Sequence, residues 1–231
     1  MASLNLMQQI LLWFLPVFLA VTVHEIAHGL VALRLGDQTA KLAGRLSLNP
    51  IKHLTPIGSF VVPGLFLLFS NFIFGWAKPV PVNQQQLHHP RRDMILVALA
   101  GPLSNLLMSI IWALSMKLGL WLSLHFPLAG EIIIYMGAAG VFINAAIMML
   151  NILPLPPLDG GRILMGIMPQ YLSDRFKRIE PFGMPVLLVL IFSGMAAKLI
   201  WPMMIVAMAV ATHVSSLPVG LLTDALRVLF A

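Results

Sequence analysis

Residues 21–30 read VTVHEIAHGL, two histidines and a glutamate inside an apolar run that extends from about Leu6 to Leu35. The run is long enough to cross a bilayer with tilt, since about 20 apolar residues suffice. It stops at RLGD (34–37), where Gly36 fits the position just past a helix end. On a helix, positions i and i+4 share a face, so His24 and His28 can grip one ion. Glu25, rotated by about 100°, lies beside that ion, where a general base belongs. An ionisable group at the bilayer centre costs about 3 kcal/mol on insertion scales, so Glu25 is not filling.

The rest of the composition agrees with a membrane setting. Of 231 residues, 59% are hydrophobic and 10% charged, and the mean hydropathy is +0.94. A net charge of +6 would suggest nucleic acid in a soluble chain. Here the basic residues flank apolar segments, as loops facing an anionic cytoplasmic leaflet do, and no nucleic-acid partner is expected. With no cysteine, disulfides and thiolate metal sites are excluded, and any metal must be held by His, Asp or Glu. The N-terminal stretch lacks a basic n-region and runs on into HEIAH, so a cleaved signal peptide is not expected.

Along the chain, Leu42, Gly44, Leu46 and Leu48 alternate with Ala43, Arg45, Ser47 and Asn49, which predicts a strand. AKPVPVN (77–83) predicts a second, confined to an edge by Pro79 and Pro81. Residues 56–76 are apolar but interrupted by Pro63 and Gly64. Their basic flanks place both ends on one side, favouring a re-entrant element. Spans follow at 94–124 and 129–153, the second stopped by the prolines of NILPLPPLDGG (151–161). At least one more span, kinked at Pro202, is expected over 185–214, and residues 217–231 form an amphipathic surface tail. The expectation is an all-α polytopic membrane protein with about 4–6 transmembrane or re-entrant helices and a small membrane-associated β element. It forms a single domain over 1–231, with a catalytic core at about 6–162 and C-terminal helices at about 183–231.

A catalytic zinc site usually takes three protein ligands. Glu131 and Glu180 read as surface carboxylates, and Asp37 and Asp93 as partners of neighbouring Lys or Arg. Asp159 differs: it ends a nearly chargeless stretch and precedes Gly160 and Gly161, which let backbone turn tightly near an ion. The alternative is that Asp159 caps the helix beginning near Arg162. Asn105 and Asn151 are either polar glue between helices or donors at the site. Asn144, one face with Asn151, reads as glue. His53, His88 and His89 read as solvated loop residues, and His125 and His213 stand alone.

HEIAH, AGPLSN (100–105) and NILPLPPLDGG together resemble the site-2 protease family of intramembrane zinc metalloproteases, in its short bacterial form without an inserted PDZ or CBS domain. The resemblance covers the first helix to about Arg162. It implies one Zn2+ per chain held by His24, His28 and Asp159, with Glu25 as catalytic base. Asn151 would hold substrate or the developing oxyanion, with Asn105 able to do likewise. It also implies a re-entrant β element near the active site, and GWAKPVPVN (75–83) is similar to a loop of the short members.

The expected function is hydrolysis of peptide bonds within or near transmembrane segments of other membrane proteins, in the cell inner membrane with the site towards the cytoplasm. A helical substrate keeps its carbonyls bonded, so its scissile segment must be unwound and given partners. Strand addition to Leu42–Leu48 or Val80–Val82 would supply them. The competing class is a transporter using the same His and Asp residues to carry metal. Against it stand the missing internal repeat and a Glu that transport does not require. A silent helix-binding scaffold, or an unrelated HExxH enzyme such as a prenyl-protein endopeptidase, completes the field.

Overall fold

The computed structural model describes residues 4–53, 55, 58 and 78–230. The helices are α1 (Leu6–Arg34), α2 (Thr39–Leu42), α3 (Pro90–Ser123), α4 (Pro127–Ile152), α5 (Asp159–Ile167), α6 (Gln170–Lys177), α7 (Glu180–Phe192), α8 (Met195–Val214) and α9 (Val219–Leu229), with 3-10 turns at Pro50–His53 and Gln84–Gln86. Four of them, α1, α3, α4 and α8, are long and apolar enough to cross a membrane. At 13 residues α7 reaches about 20 Å, short of a bilayer's hydrocarbon core.

Helix α1 starts in a capping box: the Asn5 side chain accepts from Gln8 N–H, and the Gln8 side chain accepts from Asn5 N–H, each at 2.9 Å. It ends as expected at Gly36, whose φ of +108° suits glycine. There Gly36 N–H bonds Leu33 O and Asp37 N–H bonds Ala32 O, the two bonds of a Schellman motif.

The long helices carry large apolar side chains on their outer faces. On α3, Leu103, Leu107, Ile111, Leu114, Leu118 and Trp121 form one ridge, each exposed by 46% or more. The opposite face buries Asn105, Ser109, Ala113 and Met116. A ridge of that kind belongs against lipid, because a soluble chain would expose a contiguous apolar patch. Helices α3 and α4 run antiparallel through a turn at 124–126. At the end near Leu12, an apolar cluster joins Ala113, Met116, Ala138, Ala211, Leu222, Ala225 and Leu229. A second cluster, Ala145, Met148, Met149, Ile200 and Met204, packs α8 on α4 toward the other end.

Three expectations are corrected. No strand occurs among the described residues. At 42–48 the alternation is not realised, because Leu42 belongs to α2 and Gly44, at φ +63°, closes that helix in a second Schellman motif. Gly44 N–H bonds Lys41 O and Arg45 N–H bonds Ala40 O, leaving Leu42 and Leu48 exposed and Arg45 buried. The expected stretch 185–214 is interrupted at Gly194 (φ +72°), which separates α7 from α8; Pro202 lies inside α8. Helix α9 buries Leu222, Ala225 and Leu229 against the bundle. The expected re-entrant element at 56–76 lies outside the described residues, apart from Gly58.

Candidate metal centre

His24 and His28 fall in the last third of α1 and point at the first third of α3, where Gly101 makes room for them. A Cβ at Gly101 would collide with both imidazole rings. The hydrogen bonds behind the rings determine what they offer in front. His28 Nδ1 lies 2.7 Å from Val97 O, an acceptor, so Nδ1 carries the proton. His24 Nδ1 lies 2.7 Å from Asn105 Oδ1. The orientation of that amide follows from its neighbours. Asn144 Nδ2 donates to Gly140 O at 2.8 Å, which obliges Asn144 Oδ1 to face Asn105 Nδ2, at 3.1 Å, and turns Asn105 Oδ1 toward His24. Both rings therefore present a bare Nε2 lone pair.

Those two Nε2 atoms are 3.1 Å apart, and Asp159 Oδ2 lies 3.3 Å from each. With both ring protons committed at Nδ1, no hydrogen lies between the three atoms, and Asp159 Oδ2 is buried without a hydrogen-bond partner. Three converging lone pairs repel unless a cation sits among them. Tetrahedral ligands about 2.0–2.1 Å from zinc stand roughly 3.3 Å apart, which matches the three edges found here. His24, His28 and Asp159 are the group among the described residues whose donor atoms gather in this way. Asp159 is the first residue of α5, whose N-cap is Leu158, so it is not the capping residue. The peptide bond between Pro156 and Pro157, just before it, is cis.

A cavity of about 100 Å³ adjoins the triad, lined also by Glu25, Val80 and Asn151. Glu25 Oε2 accepts the Val80 N–H at 2.7 Å. Asn151 reaches the cavity while one of its amide hydrogens goes to Ile147 O at 2.9 Å. Asn105 is 1% exposed and touches His24 instead of the cavity.

Asn144 joins the two long helices, as expected of polar glue, and does so as part of the relay behind His24. Other residues are placed otherwise than expected. Asp37 pairs with no Lys or Arg among the described residues; it is buried and accepts N–H groups of Thr39 at 2.8 Å and Asn83 at 2.6 Å. Asp93 accepts His89 N–H at 2.7 Å, at the start of α3. His53 is buried, its Nε2 2.9 Å from Ser47 O. The signals for Asp37 and Arg45 were faint: each directly follows a helix-ending glycine.

Known proteins are similar to this chain. The model of "Peptidase family M50" matches residues 127–194. YwhC of Bacillus subtilis (strain 168), provisionally named a zinc metalloprotease, is 35% identical over 198 residues, 82% of this chain and 84% of its own. Rip2 of Mycolicibacterium smegmatis, named in the same way, is 27% identical over 76% of this chain, which spans 64% of it. MJ0611 of Methanocaldococcus jannaschii, also so named, is 27% identical over 61% of this chain and 62% of its own. No solved structure matches. The metal-carrier reading is not favoured by this company. Similarity to YwhC along most of both chains, joined to the gathered His24, His28 and Asp159, places the protein in peptidase family M50, the site-2 proteases, as a multi-pass membrane zinc metalloprotease.

Proposed function

We propose that this protein hydrolyses peptide bonds within or near transmembrane segments of other membrane proteins, in the cell inner membrane, with its site open toward the cytoplasm. Residues 1–231 act as one membrane-embedded catalytic domain. The observation that carries the reading is the meeting of three proton-free donor atoms beside a carboxylate inside a bundle of lipid-facing helices.

His24, His28 and Asp159 would hold one zinc ion. When bound, zinc supplies Lewis acidity that polarises a carbonyl and makes water nucleophilic near neutral pH. Glu25, its Oε2 held by Val80, has Oε1 left to take a proton from water as the water oxygen adds to the scissile carbonyl carbon. The C–N bond then breaks, and Glu25 passes the proton to the departing nitrogen. Asn105 holds the His24 ring, and Asn144 holds Asn105. Asn151 has a second amide hydrogen to offer the developing oxyanion.

Substrate pairing falls to the Val80–Val82 segment. Pro79 and Pro81 have no N–H, Val80 N–H is taken by Glu25, and Val82 N–H, which has no partner among the described residues, would be the donor to an unwound peptide. Pairing there would lay the peptide beside the base.

The test uses the full chain in bilayer nanodiscs with a membrane-anchored reporter. Glu25→Gln should keep its zinc and lose at least about 100-fold in cleavage rate. Near wild-type cleavage by that variant would remove Glu25 as the base. Absence of cleavage by zinc-loaded wild type, across reporters with helix-breaking residues in the span, would defeat the protease reading.

A further inference from the structure

Residues 78–83 form a strap without regular secondary structure whose Pro79 and Val80 line the cavity, and two buried charges of opposite sign hold it. Arg45, 9% exposed, donates through Nη2 to Lys78 O at 2.7 Å and to Pro79 O at 3.4 Å, and through Nη1 to Lys52 O. None of the ion pairs among the described residues includes it. At the other end, Asp37 Oδ2 accepts Asn83 N–H at 2.6 Å. Between the two anchors, Val80 N–H meets Glu25.

The anchors are made alike. Each is the third residue past a helix end closed by a positive-φ glycine, Gly36 before Asp37 and Gly44 before Arg45. The backbone N–H of each is tied back to its helix, to Ala32 O and Ala40 O. A buried charge without a counter-ion is costly unless hydrogen bonds replace its hydration. A chain that needed only to tie down a loop could use neutral groups. Charged donors and acceptors make the stronger bonds, which limits the play of whatever they hold.

We propose that Arg45 and Asp37 are positioning residues for hydrolysis: they hold the strap so that Val80 N–H fixes the Glu25 carboxylate beside the metal ligands. The inference rests on the reading of Glu25 as base. Reactive groups must sit within a fraction of an ångström of the productive arrangement, so slack in the strap is transmitted to the proton transfer. Pro79 and Pro81 stiffen the piece that carries Val80 by fixing φ on both sides of it.

Amide exchange and kinetics, both on the full-length zinc-loaded protein in nanodiscs, test the proposal. In the wild type, Val80 and Asn83 amides should exchange slowly and Val82 fast. Arg45→Met and Asp37→Asn should each speed Val80 exchange by about tenfold or more, with helices α3 and α4 still protected and zinc content unchanged. Both should lower kcat about tenfold or more while KM moves less than about threefold. Val80→Pro deletes the N–H and suits a run between two prolines, whereas Val80→Ala keeps it. The proline variant should lose about tenfold more kcat than the alanine variant, and adding Arg45→Met to it should cost less than about twofold further. Unchanged Val80 exchange in Arg45→Met overturns the anchoring. Released exchange with wild-type kcat, or fully additive losses, overturns the positioning role. Failure of the base reading has a separate signature, an active Glu25→Gln enzyme, which leaves the exchange result as it stands.

Discussion

Asn144 keeps Asn105 turned toward the metal site: its Oδ1 accepts Asn105 Nδ2 at 3.1 Å, so that Asn105 Oδ1 faces His24 Nδ1. Partners behind metal-bound histidines commonly contribute about 10–100-fold in affinity. Asn105→Ala should therefore weaken zinc binding by about that factor, measured by competition with a chromophoric chelator. Asn144→Ala should give a smaller loss, because Asn105 stays in place but is free to flip. Equal affinity in all three proteins would mean that the relay serves packing alone.

Removal of the metal should loosen the bundle where it is joined by it. A strong chelator should lower the thermal midpoint, and zinc should restore it. With zinc held at roughly 100 times Kd the ion contributes about 2.7 kcal/mol, by mass action. His24→Ala and Asp159→Ala should have low midpoints that zinc does not raise. A full equivalent of zinc retained by either variant would contradict the ligand assignment.

Gly101→Ala tests the seat of the rings. The added methyl meets both imidazoles, and overpacking of this kind costs about 1–3 kcal/mol. Zinc affinity should fall further than for alanine placed at Gly220, where a Cβ meets nothing within 4 Å. Metal titration of the two variants side by side decides it.

Asp37 gives the strap a pH dependence. Burial opposes its charge, but hydrogen bonds from Thr39 and the Asn83 N–H outweigh that and hold its carboxyl below the usual range. A depressed folded value means that the contribution is complete above the unfolded value of about 3.9 and fades as pH falls through the folded one. Asn83 amide protection, corrected for intrinsic exchange, should be level from neutrality to about pH 4 and decline below. A decline already under way near pH 6 would assign the anchor to another group.

Much of the site was legible because its chemistry is local. The i, i+4 spacing of His24 and His28 needs only a helix, and Asp159 stood out as a carboxylate in a nearly chargeless stretch. Gly36 marked the end of α1 correctly. What stayed hidden depends on contacts between distant segments. Asn144 looks like any amide in a membrane helix until Gly140 O and Asn105 are seen on either side of it. The alternation at 42–48 was real but ineffective, because a left-handed Gly44 turns the chain before a strand can pair. The interruption at Gly194 was not foreseen within the apolar stretch 185–214, because hydropathy does not register a positive φ, which ends a helix outright.

The apolar cluster around Leu12, Ala138, Ala211 and Leu222 gathers about a point on α1 roughly three turns before His24. Its buried side chains are apolar, so among the described residues that cluster offers bound water no side-chain partner. In the proposed hydrolysis, water would therefore reach the triad through the cavity beside Glu25 and Asn151 and not through the Leu12 cluster.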